Sequence, residues 1–298
     1  MNFISRISVY LMKQHKKMKS FQLETSDQYP IAVTSFGENN STNQIIVISS
    51  AIGVPQKFYT KFATYLANKG YLVFTYDYRG IGQSKPKSLK GFHAEFIDWA
   101  DKDFMAVSQY IEEMYPKHQK YLIGYSMGGI MLGLSRAFKI YEKFVTIGSQ
   151  FGYIENFHDK DKFKIKTFFK VMIPLLTPLY GYFPSQKVNM GDPLPKGVAY
   201  NWKTIILGKE SILGYANKTQ NFYAEITQPM LIISLDDDYM APPKTVDLFA
   251  TKVMINAKKK RLNIKPEDVG LDSIGHMDFF REKNKNELWH IPLDFIES

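Results

Sequence analysis

The sequence predicts an α/β fold, in which a mostly parallel β-sheet carries helices on both faces. Two observations favour this fold. Short apolar runs alternate with segments of helical spacing along most of the 298 residues, as they do in proteins built from parallel strands. Several of these runs, among them "QIIVISS" and "YLVFTYD", are apolar throughout, which is typical of strands that are covered on both faces.

The first half of the chain contains six predicted strands. The segments "SFQLETS" and "IAVTSF" alternate apolar and polar residues around "DQYP" and predict an antiparallel hairpin. The third strand, "QIIVISS", is followed by the helical segment "PQKFYTKFATYLANKG", which ends at Gly70. The fourth strand, "YLVFTYD", is followed by a long helix from about Phe96 to Tyr115. The strand "KYLIGY", the helix-forming segment "MGGIMLGLSRAF" and the sixth strand, "KFVTIGS", complete this half.

Between residues 150 and 228 the alternation stops, and aromatic, proline-punctuated segments such as "FFKVMIPLLTPLYGYFP" take its place. This stretch is too long for a plain loop, so we predict a helical cap inserted after the sixth strand. The alternation resumes with the strand "QPMLIISL", a helix from Pro243 to about Val253 that Pro242 can open, the strand "KRLNIK" and a last helix. The predicted domains are a basic N-terminal extension of residues 1–18, a core of residues 19–149 and 229–298, and a cap of residues 150–228.

Composition and charge narrow the classes of function. The absence of cysteine excludes disulfides, thiolate zinc sites and a cysteine nucleophile, and it fits the cytoplasm. More than half of the net charge of +9 comes from residues 1–20, which carry five basic side chains and no acid, and a second basic cluster occupies residues 258–261. We interpret these as a solubilising tail and a charged strand start, because no nucleic-acid-binding motif accompanies them. No apolar run reaches the roughly 18 residues of a membrane span, so we expect no stable membrane insertion and no nucleic-acid partner.

The segment "LIGYSMGG", residues 122–129, places Ser126 between glycines directly after a predicted strand. A phosphate-binding loop would need a lysine that is absent here, and a dinucleotide-binding loop would need G-x-G-x-x-G at the first strand-to-helix turn. The segment matches G-x-S-x-G, in which a tight turn between a strand and a helix exposes the serine hydroxyl. Ser126 is therefore the predicted nucleophile, the alternative being an ordinary glycine-rich turn. The backbone N–H of Met127, at the start of the helix, is the predicted donor to an oxyanion.

A serine nucleophile needs a base and an acid that orients the base. In proteins with this kind of turn, the acid and then the histidine follow the serine along the chain. His276 lies in the loop "SIGHMDFF" and is the predicted base, whereas His290 lies in the predicted last helix. The acid is expected after the seventh strand, where Asp236, Asp237 and Asp238 stand in a row. The D-x-x-x-P spacing favours Asp238, with Asp237 as the alternative.

These motifs together resemble the α/β-hydrolase superfamily, from about Lys19 to the end of the chain. The segment "YDYRGIGQS" is similar to the D-x-R-G-x-G-x-S turn of that superfamily, and "AIGVPQKFY", "DDDYMAPP" and "IGHMDFFR" resemble a bacterial subgroup of predicted, serine esterase-like or lipase-like hydrolases. The resemblance implies an α/β-hydrolase fold with eight strands. By position it also implies that the N–H of Ile52 is the second oxyanion donor, although "SAIG" stands where the superfamily usually has His-Gly. Asp77 and Arg79 lie in the D-x-R-G turn, which we interpret as architectural.

The predicted function is that of a serine hydrolase that cleaves a carboxylic ester or thioester of a small to medium, largely apolar substrate. Amide or peptide hydrolysis and acyl transfer use the same triad and stay open, as does a ligand-binding protein on a hydrolase frame. The expected partner is a small-molecule acyl substrate; no cofactor or metal is expected, and the oligomeric state is open. Substrate contacts are predicted for apolar side chains of the cap, namely Phe168, Phe169, Met172 and Trp202, with Leu176, Tyr180 and Tyr182 as further candidates.

Overall fold

The computed structural model describes residues 18–38 and 42–298 of the chain. Apart from Met18, the predicted basic extension of residues 1–18 lies outside the described residues. Eight strands form one sheet and two further strands, β7 and β8, form a small ribbon. The strands are β1 (Met18–Glu24), β2 (Pro30–Phe36), β3 (Gln44–Ser49), β4 (Leu72–Tyr76), β5 (Gln119–Tyr125), β6 (Lys143–Ile147), β7 (Tyr182–Phe183), β8 (Leu194–Pro195), β9 (Pro229–Leu235) and β10 (Lys258–Ile264).

The strands of the large sheet lie in the order β1-β2-β4-β3-β5-β6-β9-β10. β1 and β2 form the predicted antiparallel hairpin, β2 is also antiparallel to β4, and the remaining pairs are parallel. In β3, Ile45 and Val47 pack into the core layer on one face, whereas Ile46 and Ile48 pack into the layer on the other. Burial on both faces explains why this strand is apolar throughout. The prediction of a mostly parallel, eight-stranded α/β sheet is confirmed.

Helices flank the sheet and make up most of the segment between β6 and β9. They are α1 (Thr60–Asn68), α2 (Phe96–Asp98), α3 (Met105–Met114), α4 (Met127–Ile130), α5 (Asp159–Thr167), α6 (Ile173–Tyr180), α7 (Lys196–Leu207), α8 (Ser211–Ala216), α9 (Pro243–Leu248), α10 (Lys285–Leu288) and α11 (His290–Glu297). The π-helical turns of Trp99–Phe104 join α2 to α3, which together form the predicted long helix. Helix α9 begins at Pro243, as predicted, with Pro242 as its N-cap.

Helix α4 is much shorter than the sequence pattern predicts. After Ile130 the chain continues in 3-10 turns as far as Ile140. The carbonyl of Gly133 accepts a hydrogen bond from the N–H of Phe222 (2.8 Å), and Tyr223 lies so close that a Cβ on Gly133 would be 2.0 Å from its ring. The hydroxyl of Tyr223 also donates to the carbonyl of Ile130 (2.7 Å), the last residue of α4, so a distant segment of the chain occupies the carbonyl that the next turn of the helix would have used.

Residues 150–228, called the insertion below, leave the sheet after β6 and return to it at β9. Helix α5, the π-helical turns of Phe168–Met172 and helix α6 follow one another without a break over residues 159–180, and we call this segment the insertion helix. The antiparallel ribbon of β7 and β8 was not predicted. It starts where Gly181, with φ of 80°, ends α6 in a left-handed conformation. The division into separate core and cap domains stays a prediction.

The outermost strand on one edge of the sheet is β10, and residues 258–261 are its first four residues. The interpretation of this basic cluster as a charged strand start is therefore confirmed. In the part of the chain that the structure describes, none of the helices has both the length and the apolar character that crossing a membrane requires.

Candidate active site

Ser126 occupies the turn between β5 and α4 with φ of 51° and ψ of −113°, a conformation that few residues other than glycine adopt. Glycines flank it because the backbone segments lie in direct contact. A Cβ on Gly128 would be 2.0 Å from the carbonyl oxygen of Ser49 in β3, and a Cβ on Gly124 would be 2.6 Å from the backbone of Gly129. The glycines of the G-x-S-x-G-G pattern therefore allow the chain to turn this tightly from strand to helix.

His276 connects Ser126 to Asp238 through its two ring nitrogens. Its Nε2 lies 3.2 Å from Ser126 Oγ, and its Nδ1 lies 2.6 Å from Asp238 Oδ2. His276 and Asp238 are buried, at 6% and 1% exposure. A carboxylate at Nδ1 favours the tautomer that carries its proton there, which leaves Nε2 to accept the proton of the serine hydroxyl. His290, by contrast, lies exposed in α11, near Asp294.

The loop after β9 holds the carboxylate of Asp238 in place. Asp238 Oδ1 accepts hydrogen bonds from the N–H groups of Met240 (2.8 Å) and Ala241 (2.9 Å). The other oxygen, Oδ2, is then directed at His276. Each carboxylate oxygen therefore has its own partners, and the side chain has little freedom to rotate.

Asp237, the alternative acid in the sequence, has a different position. Its carboxylate accepts hydrogen bonds from the N–H groups of Ile274 (2.8 Å, to Oδ2) and Gly275 (2.9 Å, to Oδ1). These are the two residues before His276, and Gly275 has φ of 56°. Asp237 thus fastens the loop that carries the histidine to the loop that carries Asp238. This contact was missed, because the sequence does not show which backbone groups face the second aspartate.

Residues at the ends of β5 and β6 complete the surroundings of His276. Gly148, with φ of 62°, lies so close that a Cβ there would be 3.2 Å from His276 Cε1. The hydroxyl of Ser149 donates to the carbonyl of Ser126 (2.8 Å), and the ring of Tyr125 lies 5.2 Å from the imidazole. Burial raises the pKa of Tyr125 well above its ordinary value, so its hydroxyl stays neutral. Gly148 and Ser149 were missed, although their position directly after a buried strand was a usable signal.

A pocket of about 280 Å³ opens beside Ser126 and His276. The four side chains that the sequence singled out as substrate contacts, Phe168, Phe169, Met172 and Trp202, all line it, and so do the two predicted oxyanion donors, Met127 and Ile52. The remaining lining residues are mostly apolar; they are Ile130, Gln150, Gly152, Phe157, Lys164, Ile165, Met190, Ile205, Ile206, Tyr239 and Met240.

Aromatic side chains of the insertion form one wall of this pocket. The ring of Trp202 lies edge-on to Phe169 at 4.9 Å and to Phe168 at 5.8 Å. The further candidates, Leu176, Tyr180 and Tyr182, are not among the lining residues, and the two tyrosines contact each other instead. The pocket therefore lies between the sheet and one part of the insertion.

The turn that contains Asp77 and Arg79 contributes to architecture. Asp77 accepts hydrogen bonds from the N–H groups of Gln56 (2.7 Å) and Gln83 (2.9 Å), and burial raises its pKa. Arg79 binds Asp103 and Asp27 and so ties the turn to the helical segment after α2 and to the β1–β2 hairpin. Neither residue lines the pocket beside Ser126. Within residues 18–38 and 42–298, no group of three or more His, Asp or Glu side chains is arranged to hold a metal ion.

Comparison with known proteins places this chain among hydrolases. The family model described as "Serine aminopeptidase, S33" matches residues 40–267. An esterase from Pyrococcus furiosus is similar in structure, with a TM-score of 0.63, 16% identity, and coverage of 96% of this chain and 92% of that chain. An esterase from Exiguobacterium antarcticum has a TM-score of 0.57 and 17% identity over 94% of this chain and 100% of its own.

A third solved structure is a serine hydrolase without a lid from Xanthomonas campestris, with a TM-score of 0.53, 13% identity, and coverage of 93% of this chain and 94% of that chain. At these identities the likenesses show that the fold is shared. No curated protein matches the chain in sequence.

Proposed function

Because the chain belongs to the serine aminopeptidase S33 family of α/β hydrolases, we propose that it is a serine hydrolase that cleaves carboxylic esters or thioesters of small to medium, largely apolar substrates. One observation carries the proposal: Ser126 Oγ, His276 and Asp238 form a hydrogen-bonded chain beside an apolar pocket. A serine in this setting can be activated, whereas a solitary serine hydroxyl is a poor nucleophile.

In the proposed reaction, Ser126 Oγ attacks the substrate carbonyl while His276 Nε2 takes its proton. Asp238 orients the imidazole and stabilises its positive charge. The oxyanion is bound by the backbone N–H of Met127, at the first turn of α4, and by that of Ile52. His276 then protonates the leaving alcohol or thiol, and a water molecule activated by His276 releases the acid from the acyl-enzyme. The enzyme returns with the proton on Ser126.

The lining of the pocket favours ester over aminopeptidase chemistry. An aminopeptidase has to bind the positively charged amino terminus of its substrate, which requires acidic or strongly accepting groups near the nucleophile. Among the described residues that line the pocket there is no Asp or Glu, and the one fully charged side chain is the cation Lys164. A free amino terminus would lose its hydration there without gaining an ionic partner. An uncharged acyl group has no such cost.

A fluorophosphonate probe separates a hydrolase from a ligand-binding protein, because only an activated serine reacts with it. We expect the full chain to be labelled and the Ser126→Ala variant to remain unlabelled with its fold intact. Labelling of the variant would remove Ser126 as the nucleophile, and an unlabelled wild type would favour the ligand-binding alternative.

Turnover of p-nitrophenyl esters of increasing acyl length, measured against aminoacyl anilides, separates the two reaction classes. We expect kcat/KM for the esters to exceed that for the anilides by at least about 100-fold, since the pocket offers no partner for an ammonium group. A preference for the aminoacyl anilides would establish peptide chemistry instead.

A further inference from the structure

One face of the insertion helix is both apolar and exposed. Of the large hydrophobic side chains in the described residues, the three most exposed all lie on this helix: Phe163 (78%), Leu179 (73%) and Leu175 (64%). Val171, at 52%, lies on the same face, since residues 171, 175 and 179 are spaced by four positions. Contiguous exposed apolar side chains mark surfaces that contact something other than water.

The opposite face of the same helix lines the pocket. Ile165, Phe168, Phe169 and Met172 all contribute to its wall. The exposed apolar side chains therefore do not contact the substrate, because they lie on the side of the helix that faces away from the pocket. A surface that binds them would leave the pocket in place.

The exposed face is also cationic. Lys160 and Lys170 are exposed on it, and neither has an ion pair with another described residue. Of the acidic side chains nearby, Asp159 pairs with Lys162, and Glu155 pairs with Lys162 and Lys166, whereas Asp161 has no ion pair with a described residue. The unpaired positive charges thus remain available to an external partner.

Charge complementarity identifies the partner. A second copy of the chain, docked through this face by twofold symmetry, would bring two sets of lysines together, and like charges in contact are unfavourable. A bilayer that contains anionic phospholipid offers an apolar interior for the exposed side chains and phosphate groups for the lysines.

We propose that this face docks the protein on the surface of a bilayer containing anionic phospholipid. Phe163, Val171, Leu175 and Leu179 enter the headgroup region, while Lys160 and Lys170 contact lipid phosphates. The helix lies in the plane of the surface and does not cross the membrane. Docking goes beyond the hydrolase function proposed above and does not require catalysis.

The test uses the full chain with Ser126→Ala, so that no lipid is consumed. Its binding is measured by flotation with vesicles of phosphatidylcholine alone or of phosphatidylcholine with phosphatidylglycerol. We expect binding to the anionic vesicles, weakened by salt because surface charges are screened. Equal binding to both kinds of vesicle, or binding to neither, overturns the proposal.

Substitutions then locate the contact. Leu175→Ser with Leu179→Ser should weaken vesicle binding by at least about tenfold, through lost apolar burial. Lys160→Gln with Lys170→Gln should weaken binding to the anionic vesicles by roughly 30-fold, because each basic residue near such a surface contributes about a factor of five. Ile255→Ser removes a similarly exposed apolar side chain outside the insertion and should leave binding unchanged. Unaltered binding by the Leu175→Ser, Leu179→Ser variant contradicts the proposal.

Two further readouts keep the outcomes distinct. With Ser126 intact, the Leu175→Ser, Leu179→Ser variant should hydrolyse a water-soluble ester at the wild-type rate, since neither leucine lines the pocket. Sedimentation of the protein alone should show no dimer that these substitutions dissociate; such a dimer would make a second copy the occupant and overturn the proposal. If the fluorophosphonate probe did not label the protein, the proposed hydrolase function would be contradicted, whereas the docking proposal would still be decided by vesicle binding.

Discussion

Asp237 and Asp238 are neighbours in the chain, but their carboxylates have different partners. Asp238 contacts the imidazole of His276, whereas Asp237 contacts only backbone N–H groups of the loop that carries this histidine. Asp238→Asn and Asp237→Asn should therefore both lower activity, but by different factors and for different reasons.

Asp238→Asn should lower kcat by roughly 10⁴-fold, because an amide at Nδ1 favours the wrong tautomer of His276 and does not stabilise its cation. The measurement is ester turnover together with thermal unfolding, which should show a folded protein. A loss of less than about tenfold would show that Asp238 is not the orienting acid.

Asp237→Asn should lower kcat by roughly 10- to 100-fold with little change in KM. The amide oxygen can accept from one of the two N–H groups of Ile274 and Gly275, while its NH₂ group faces the other, so the loop shifts and His276 with it. Asp236→Asn is the matched control, since the Asp236 side chain accepts from Asn263 and touches neither loop residue. Equal effects of the two substitutions would contradict a specific role of Asp237 in placing the histidine.

At the scale of the element, the wall that the insertion contributes should determine which acyl groups fit. Trp202→Ala removes the indole that packs against Phe168 and Phe169 and enlarges the pocket. We expect kcat/KM for short-chain p-nitrophenyl esters to fall and the preferred acyl chain to become longer. The ratio of kcat/KM for long-chain esters to kcat/KM for short-chain esters should rise by about tenfold. Tyr180 also belongs to the insertion but does not line the pocket, so Tyr180→Ala should leave the dependence of kcat/KM on acyl chain length unchanged. The same shift in both variants would mean that loosening of the insertion, rather than pocket volume, causes it.

The elements were predictable from the sequence where their cause is local. The strand patterns follow from burial, and the passage from β5 to α4 follows from the spacing of Gly124, Ser126 and Gly128. The length of α4 was not predictable, because Tyr223, which is far away in the chain, donates to the carbonyl of its last residue, Ile130. The role of Asp237 escaped prediction for the same reason, since its partners lie in a different loop. Contacts between distant segments leave no periodic signal.

At the scale of the whole molecule, Arg79 holds three parts of the chain together. It binds Asp103 in the helical segment after α2 and Asp27 in the β1–β2 hairpin, while its carbonyl accepts from the indole N–H of Trp99. The side chains of Arg79 and Asp103 are almost fully buried. The hydrogen bond from Arg79 is the largest of the effects that hold the pKa of Asp27 well below its ordinary value.

Arg79→Met should lower the free energy of unfolding by about 3 kcal/mol at pH 7, because it removes the hydrogen-bonding and ionic partner of the buried Asp103 and of Asp27. The difference from the wild type should narrow as the pH falls below about 4. The folded-state pKa of Asp27 lies below the unfolded value of 3.8, so its stabilising contribution is complete above that value and is lost on acidification. Denaturant unfolding at several pH values measures both effects.

Lys102→Met is the control, since Lys102 also pairs with Asp27 but is partly exposed. It should change the free energy of unfolding by less than about 1 kcal/mol. A constant difference between the Arg79→Met variant and the wild type across the acid range would show that the ion pair of Arg79 with Asp27 does not stabilise the fold.

The basic start of β10 also bears on how the protein behaves in crowded solution. An outermost strand has one row of backbone N–H and C=O groups that no neighbouring strand occupies, and it can template the addition of a strand from another molecule. In β10, Lys258, Lys259 and Lys260 follow one another, so that positive charges project from both faces of the sheet at this edge. Two molecules that approached edge to edge would bring these charges into contact before their backbones could pair. We therefore expect these lysines to oppose the addition of a further strand at this edge of the sheet.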